Sequence, residues 1–199
     1  TVPAYTTNTT ADHLHILRDS GAKAVIVSSA RLFERLIAGG KHVALMAHFD
    51  HWREMETPIV HQAIRRLRDA GVGIRSQGPL LAKINDDSNT WARMWRTQVS
   101  LGIIPYYMFV ERDTGPREYF EVPLARAWVI YRNAMRQVSG LARTARGPSM
   151  SAGPGKVEIQ GVSEVQGQKV FVLRFIQARN DDWVQRPFFA AYDSKAVWL

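Results

Sequence analysis

Apolar and polar positions change period several times along this chain, and each period predicts an element. The runs "KAVIVS" (23–28) and "HVALMAHF" (42–49) are continuously apolar and rich in β-branched residues, which predicts buried strands. Before the first run, Thr10 is placed to cap a helix through Leu14 and Leu17 that stops at Gly21. After the second, Thr57-Pro58 reads as a helix start, with Thr as cap and Pro at the first helical position. Ile59, Ala63, Leu67 and Ala70 are expected to line its buried face, and Gly71 to end it. A weaker strand is expected at 72–77. Ser88 is expected to cap a helix in which Trp91, Trp95 and Val99 recur four apart, up to Gly102. "IIPYYMFVE" (103–111) reads as a strand in which Pro105 restricts pairing. A helix over 123–139 carries Leu124, Trp128, Tyr131, Met135 and Val138 on one stripe. Strands separated by helices predict parallel βαβ units. After Lys156 the period falls to two: "KVEIQGV" and "KVFVLRFI", joined through "QGQ", predict an antiparallel hairpin.

Composition narrows the function classes. The 199 residues are 46% hydrophobic, which fits a globular domain. No apolar run reaches the ~18 residues of a membrane span, and no basic-then-apolar leader opens the sequence. A cytoplasmic protein without membrane contact is therefore expected. The chain has no cysteine, which removes disulfides, thiolate zinc sites, cysteine nucleophiles and iron–sulfur ligation by thiolates. The net charge of +8 fits anionic partners. It is unevenly spread: between Val122 and Lys156 there is no Asp or Glu, while Arg126, Arg132, Arg136, Arg143, Arg146 and Lys156 are basic.

At the end of that region stands "GPSMSAGPGK" (147–156). Glycines before a Lys suggest a phosphate cradle. A Walker loop is excluded, because Met150 and Val157 occupy the positions that need Gly and Ser or Thr. From the residues alone, an anion loop and an ordinary surface turn both stand. His48 and His51 form an H-x-x-H pair, but no third ligand is evident, so no metal site is expected. Asp86-Asp87 reads as a loop before a helix rather than a catalytic pair. Arg65, Arg66 and Arg68 read as a solvated face, since no nucleic-acid motif accompanies them.

Five ordered words carry a family resemblance: "AHFDH" (47–51), "RSQGPLLAKINDD" (75–87), "IPYYMFVERD" (104–113), "VSGLA" (138–142) and "GPGK" (153–156). On these, residues from about 38 to the end resemble the C-terminal part of the lysine 2,3-aminomutase family of radical SAM proteins. The resemblance implies amino-group migration with pyridoxal phosphate (PLP) and S-adenosylmethionine (SAM), on a partial (β/α) barrel. Lys156 matches the family's PLP lysine, whose amine forms an imine with the cofactor aldehyde. Gly153 and Gly155 would let backbone approach the cofactor, and Arg143 or Arg146 would draw its phosphate. His48 and Gln77 match SAM-facing positions. Two features depart from the family. Its two substrate-ammonium aspartates fall on Arg112, with Asp113 adjacent, and on Ser149, which argues against free lysine. Its three-cysteine cluster motif has no counterpart here, so no iron–sulfur cluster and no catalysis by the chain alone are expected. Residues 1 to about 30, "TVPAYTTNTTADHLHILRDSGAKAVIVSS" in part, resemble an N-terminal piece of AMP-forming long-chain acyl-CoA ligases, joined to the rest near 29–40.

The expected organisation is therefore a strand–helix–strand piece over 1–37, a partial barrel of parallel strands over 38–156 and an antiparallel β extension over 157–199. The alternatives kept beside it are a non-catalytic binding or interaction module and a non-functional fusion of two gene fragments. An open barrel fragment would expose apolar edges and faces, with Trp52, Trp91, Trp95 and Trp128 adding to the load, so homodimerisation or aggregation is expected.

Overall fold

The computed structural model describes residues 42–111 and 116–198, together with Ala11 and His15. The strand expected at 23–28, the helix ending at Gly21 and the acyl-CoA-ligase-like piece lie outside the described residues. So do Arg112 and Asp113.

The described chain is a mixed α/β unit on one seven-stranded sheet, in the order β1-β2-β3-β4-β5-β6-β7. The strands are β1 (Ala44–His48), β2 (Gly73–Leu80), β3 (Ile104–Val110), β4 (Arg146–Ala152), β5 (Gly155–Val165), β6 (Gln168–Ala178) and β7 (Pro187–Ala191). The first four run parallel and the last four antiparallel, with β4 common to both halves. The helices α1 (Pro58–Asp69), α2 (Ser88–Ser100), the short α3 (Arg117–Phe120) and α4 (Leu124–Arg136) fill the parallel crossovers. Among the described residues the sheet is open, with β1 and β7 as its edges. Strand order alone does not make it a partial barrel. Residue 156, where the sequence changes character, lies inside β5 of the same sheet.

One apolar core joins the helices to the parallel strands. Ile64 of α1, Trp91, Met94 and Trp95 of α2, and Ala127, Ile130 and Ala134 of α4 meet Ile74 and Met108 there. A second core lies under the antiparallel strands, where Met150, Val157, Ile159, Phe171 and Leu173 meet Leu124. Burial corrects two expectations. Trp91 and Trp95 are 1% and 2% exposed, so they belong to the core rather than to an exposed apolar load. On α1 the buried stripe is Val60, Ile64 and Leu67, while Ile59, Ala63 and Ala70 face outward. Its axis is turned by about one residue, because Ile64 rather than Ala63 meets the core.

Helix ends follow local chemistry with two changes. Thr57 makes no side-chain capping bond to α1. The cap of α2 is Asp87, not Ser88: its carboxylate accepts from the Thr90 N–H at 2.9 Å. Gly71 and Gly102 follow α1 and α2 at φ of +80° and +78°, the left-handed geometry that ends a helix.

Candidate functional site

The stretch 147–156 is not a loop. Gly147–Ala152 belongs to β4, Gly153-Pro154 turns the chain, and Gly155 opens β5. From sequence, Gly155 is expected to let backbone approach a cofactor; the structure gives its missing side chain a packing reason. A Cβ there would lie 2.1 Å from the Gln177 carbonyl oxygen, so the residue lets β5 and β6 approach closely. Gly147 does the same against β3, where a Cβ would lie 2.3 Å from the Met108 carbonyl oxygen.

This hairpin brings Lys156 to the wall of a cavity of about 260 Å³. Gln77 from β2, Tyr107 and Phe109 from β3, and Ser149 and Ser151 from β4 complete most of its lining. Strand alternation explains the set: Tyr107 and Phe109 are two apart on β3, and Ser151 is the cross-strand partner of Lys156. The Lys156 ammonium lies 5.5 Å from the centre of the Tyr107 ring, a cation–π distance. Tyr107 and Phe109 stack with centroids 5.9 Å apart. Ser149 donates its hydroxyl to the Met108 carbonyl at 3.2 Å.

The sequence-predicted residues divide accordingly. Lys156 and Gln77 share the cavity. His48, at the end of β1, sets its ring edge against Phe109, with centroids 6.1 Å apart, so it adjoins the cavity wall. Its Nε2 lies 2.9 Å from Asp50 Oδ1. Arg143 and Arg146 are elsewhere. Arg143 donates from Nε to the Met135 and Val138 carbonyls at 3.0 and 2.9 Å, closing the C-terminal end of α4. Arg146 stacks over Tyr106 at 5.3 Å. It is five positions before Ser151 on β4, about 17 Å at ~3.3 Å per residue. Ser149 was named from sequence only as the place of a missing family aspartate; the aromatic wall and Ser151 were not singled out. Their signal was the two-residue alternation within "YYMFV".

His51 does not join His48. Its Nδ1 accepts from the Arg53 N–H at 3.2 Å while Glu54 accepts from the His51 N–H at 2.6 Å, forming a small capping box. Burial, then the Arg53 charge, lowers its pKa below the ordinary imidazole value. Among the described residues, no group of three or more His, Asp or Glu side chains is arranged to hold a metal. Asp86 pairs with Arg126 at 2.7 Å, and its neighbour Asp87 caps α2, so both carboxylates are engaged structurally.

No protein-family model matches the chain. Curated relatives do. A protein of Aquifex aeolicus provisionally named L-lysine 2,3-aminomutase is 33% identical over 125 residues, covering 63% of this chain and 33% of the relative. The L-lysine 2,3-aminomutase of Escherichia coli is 30% identical over 119 residues, covering 58% and 34%. That of Fusobacterium nucleatum is 29% identical over 133 residues, covering 65% and 31%. The chain thus spans about a third of the length of these relatives. Its resemblance to the lysine 2,3-aminomutases is shown by them; they lend nothing to the acyl-CoA-ligase resemblance of residues 1–30. Among solved structures, an arginine decarboxylase of Paramecium bursaria Chlorella virus, bound to agmatine, overlaps 85% of this chain and 52% of its own. Its TM-score is 0.37 and its identity 11%.

Proposed function

We propose that this chain is the PLP-binding portion of a lysine 2,3-aminomutase-like radical SAM protein. The observation that carries the reading is the shared cavity of Lys156 and Gln77. It lies toward the carboxyl ends of parallel strands, where open α/β sheets place their ligands. When bound, PLP supplies an aldehyde for an amine and a conjugated ring that delocalises charge or an unpaired electron. The protein's part is to hold it. Lys156 offers the amine. Tyr107 and Phe109 offer apolar faces to a flat ring. The half-buried strand position of Lys156 fixes where that amine stands. Arg143 and Arg146 are left out of the proposed contact set, because neither lines the cavity. Gln77 and His48 form the proposed SAM-facing side.

The same reading keeps residues 38–156 as part of a (β/α) barrel and 157–199 as its β extension. It disfavours free lysine as substrate, since Ser149 supplies no carboxylate where the family resemblance calls for one. It also makes the chain alone inactive, because no thiolate is present to ligate a cluster.

Two experiments test this. After incubation with PLP and dialysis, the protein is expected to absorb in the visible, and borohydride to fix the label on the peptide holding Lys156. Lys156→Ala is expected to abolish the label and Lys83→Ala to leave it. Label spread over many lysines, or unchanged in Lys156→Ala, defeats the reading. Supplied with SAM, reductant, iron and sulfide, the chain is expected to yield no 5′-deoxyadenosine above a protein-free control.

A further inference from the structure

Asn85 lies in the polar turn between β2 and α2, yet it is 1% exposed. Its side chain makes three hydrogen bonds. Nδ2 donates to the Asp50 carbonyl at 2.8 Å and to the Pro79 carbonyl at 2.9 Å. Oδ1 accepts from the Leu81 N–H at 2.7 Å. Both amide donors are thus used, and the segment after β1 is tied to the end of β2. Asp50 is held from its other side as well, its N–H donating to Glu54 Oε1 at 2.7 Å. One residue earlier, the Phe49 N–H donates to the Gln77 carbonyl at 3.0 Å. The backbone that carries the Asp50 carboxylate is therefore anchored at both ends.

That carboxylate meets His48 Nε2 at 2.9 Å. An ionised carboxylate only accepts hydrogen bonds, so the proton of the neutral ring must sit on Nε2. Nδ1 is then left with its lone pair, and it has no partner among the described residues. The ring itself edges onto Phe109, a wall of the Lys156 cavity.

We propose that Asn85 is a positioning residue for His48: by fixing Asp50 it holds the imidazole in the Nε2–H tautomer, so that Nδ1 stands beside the cavity as an acceptor for a ligand N–H or O–H. The use of Nδ1 by a ligand rests on the cofactor reading above. The tautomer and its dependence on Asn85 do not.

The test is nuclear magnetic resonance on the full chain labelled with ¹⁵N-histidine, at about pH 8.5, some two units above the ordinary imidazole value of about 6.5. His48 is assigned by its loss in His48→Gln. Wild type is expected to show His48 in one dominant Nε2–H tautomer. Asn85→Ala and Asp50→Ala are each expected to give a mixture of both tautomers, and the double variant no further change. Tyr131→Phe removes a hydrogen bond to the Ala145 carbonyl, made at 2.8 Å on α4. It is expected to leave the His48 tautomer unchanged, which separates positioning from general destabilisation. Should Asn85→Ala fail to fold, Asn85→Asp keeps the shape and the acceptor for Leu81 but lacks the donor to Asp50, and the same mixture is expected. A folded Asn85 variant with His48 unchanged, or a wild type already mixed, overturns the proposal. If the tautomer responds as expected while PLP leaves no borohydride-fixed label at Lys156, the positioning stands and only the cofactor reading falls.

Discussion

Glu158 shows how much one residue can commit. It is 5% exposed, and its Oε1 accepts from the Gly147 N–H at 3.0 Å. Its Oε2 accepts from Arg174 Nε at 2.9 Å and from the same guanidinium's terminal nitrogen at 2.5 Å. One carboxylate thus links β4, its own β5 and β6. Glu158 is buried while Arg174 is half-buried. Such a pair is costly to assemble, because the carboxylate loses most of its water and the guanidinium part of its own, but it is costlier to leave half made. Glu158→Gln is therefore expected to lower stability by about 3 kcal/mol, read as a lower urea midpoint at unchanged slope. Glu158→Leu combined with Arg174→Leu is expected to lose clearly less than the two single changes added together. An additive double variant would show that the pair is not coupled. The same carboxylate acts on Tyr131: burial first, then the Glu158 charge, raises the phenol's pKa, against the opposing pull of Arg174. The phenol accordingly stays protonated and donates to the Ala145 carbonyl.

Among the elements, α2 gives the plainest pH prediction. Burial raises the pKa of Asp87, but the N–H groups of Thr90, Asn89 and Ser88 and the Thr90 hydroxyl together outweigh it, so the net shift is downward from 3.8. A depressed folded pKa contributes stability that is present above the unfolded value and lost as pH falls through the folded one. Asp87→Ala is thus expected to cost about 1 kcal/mol at neutral pH, and the difference from wild type to shrink below pH 3.8 as the wild-type cap protonates. Thermal melts of both proteins at pH 7 and near pH 3 check this; an equal gap at both values contradicts the capping role. This helix was legible in the sequence because its period is strong, but its cap was displaced by one residue, since Asp and Ser are both good caps and stand side by side. The hairpin of β5 and β6 was legible because Gln166 and Gly167, at φ of 51° and 74°, make the two-residue turn that such strands prefer. β4 was not legible. Its "RGPSMSA" has a loop's composition, and only the neighbours on both sides, which need small residues at Gly147 and Gly155, make it a strand. The candidate site was half legible for the same reason. Lys156 and Gln77 sit in recognisable words, whereas the wall built by Tyr107, Phe109 and Ser151 exists only through strand register. Sequence proximity placed Arg143 near Lys156, but its Nε is bound to carbonyls at the end of a helix and it does not line the cavity, which only the fold reveals.

For the whole molecule, the open sheet decides solution behaviour. Among the described residues, β1 and β7 each pair on one side only. An edge strand presents unpaired N–H and C=O groups, and it invites another chain unless charge, bulges or cover prevent it. β7 is poorly protected. Its sequence PFFAA has no charge, and Phe189 is 57% exposed, with Trp183 and Val184 nearby in sequence at 42% and 37%. Pro187 removes one donor at the start of the strand only. The opposing influence is the net charge of +8, which makes like copies repel at low ionic strength. Screening shortens that repulsion to roughly 10 Å at 0.1 M salt and 3 Å at 1 M, while apolar burial and strand pairing at contact are little affected. Self-association is therefore expected, and it should rise with salt rather than fall. Light scattering or sedimentation at roughly tens of micromolar, the range where exposed edges begin to associate, should show dimers or larger species. Phe189→Lys is expected to weaken them by adding charge to the edge without touching either core. A clean monomer at both low and high salt would defeat the edge argument. Association that falls as salt rises would instead mean that ionic contacts, not the apolar edge, hold the copies together.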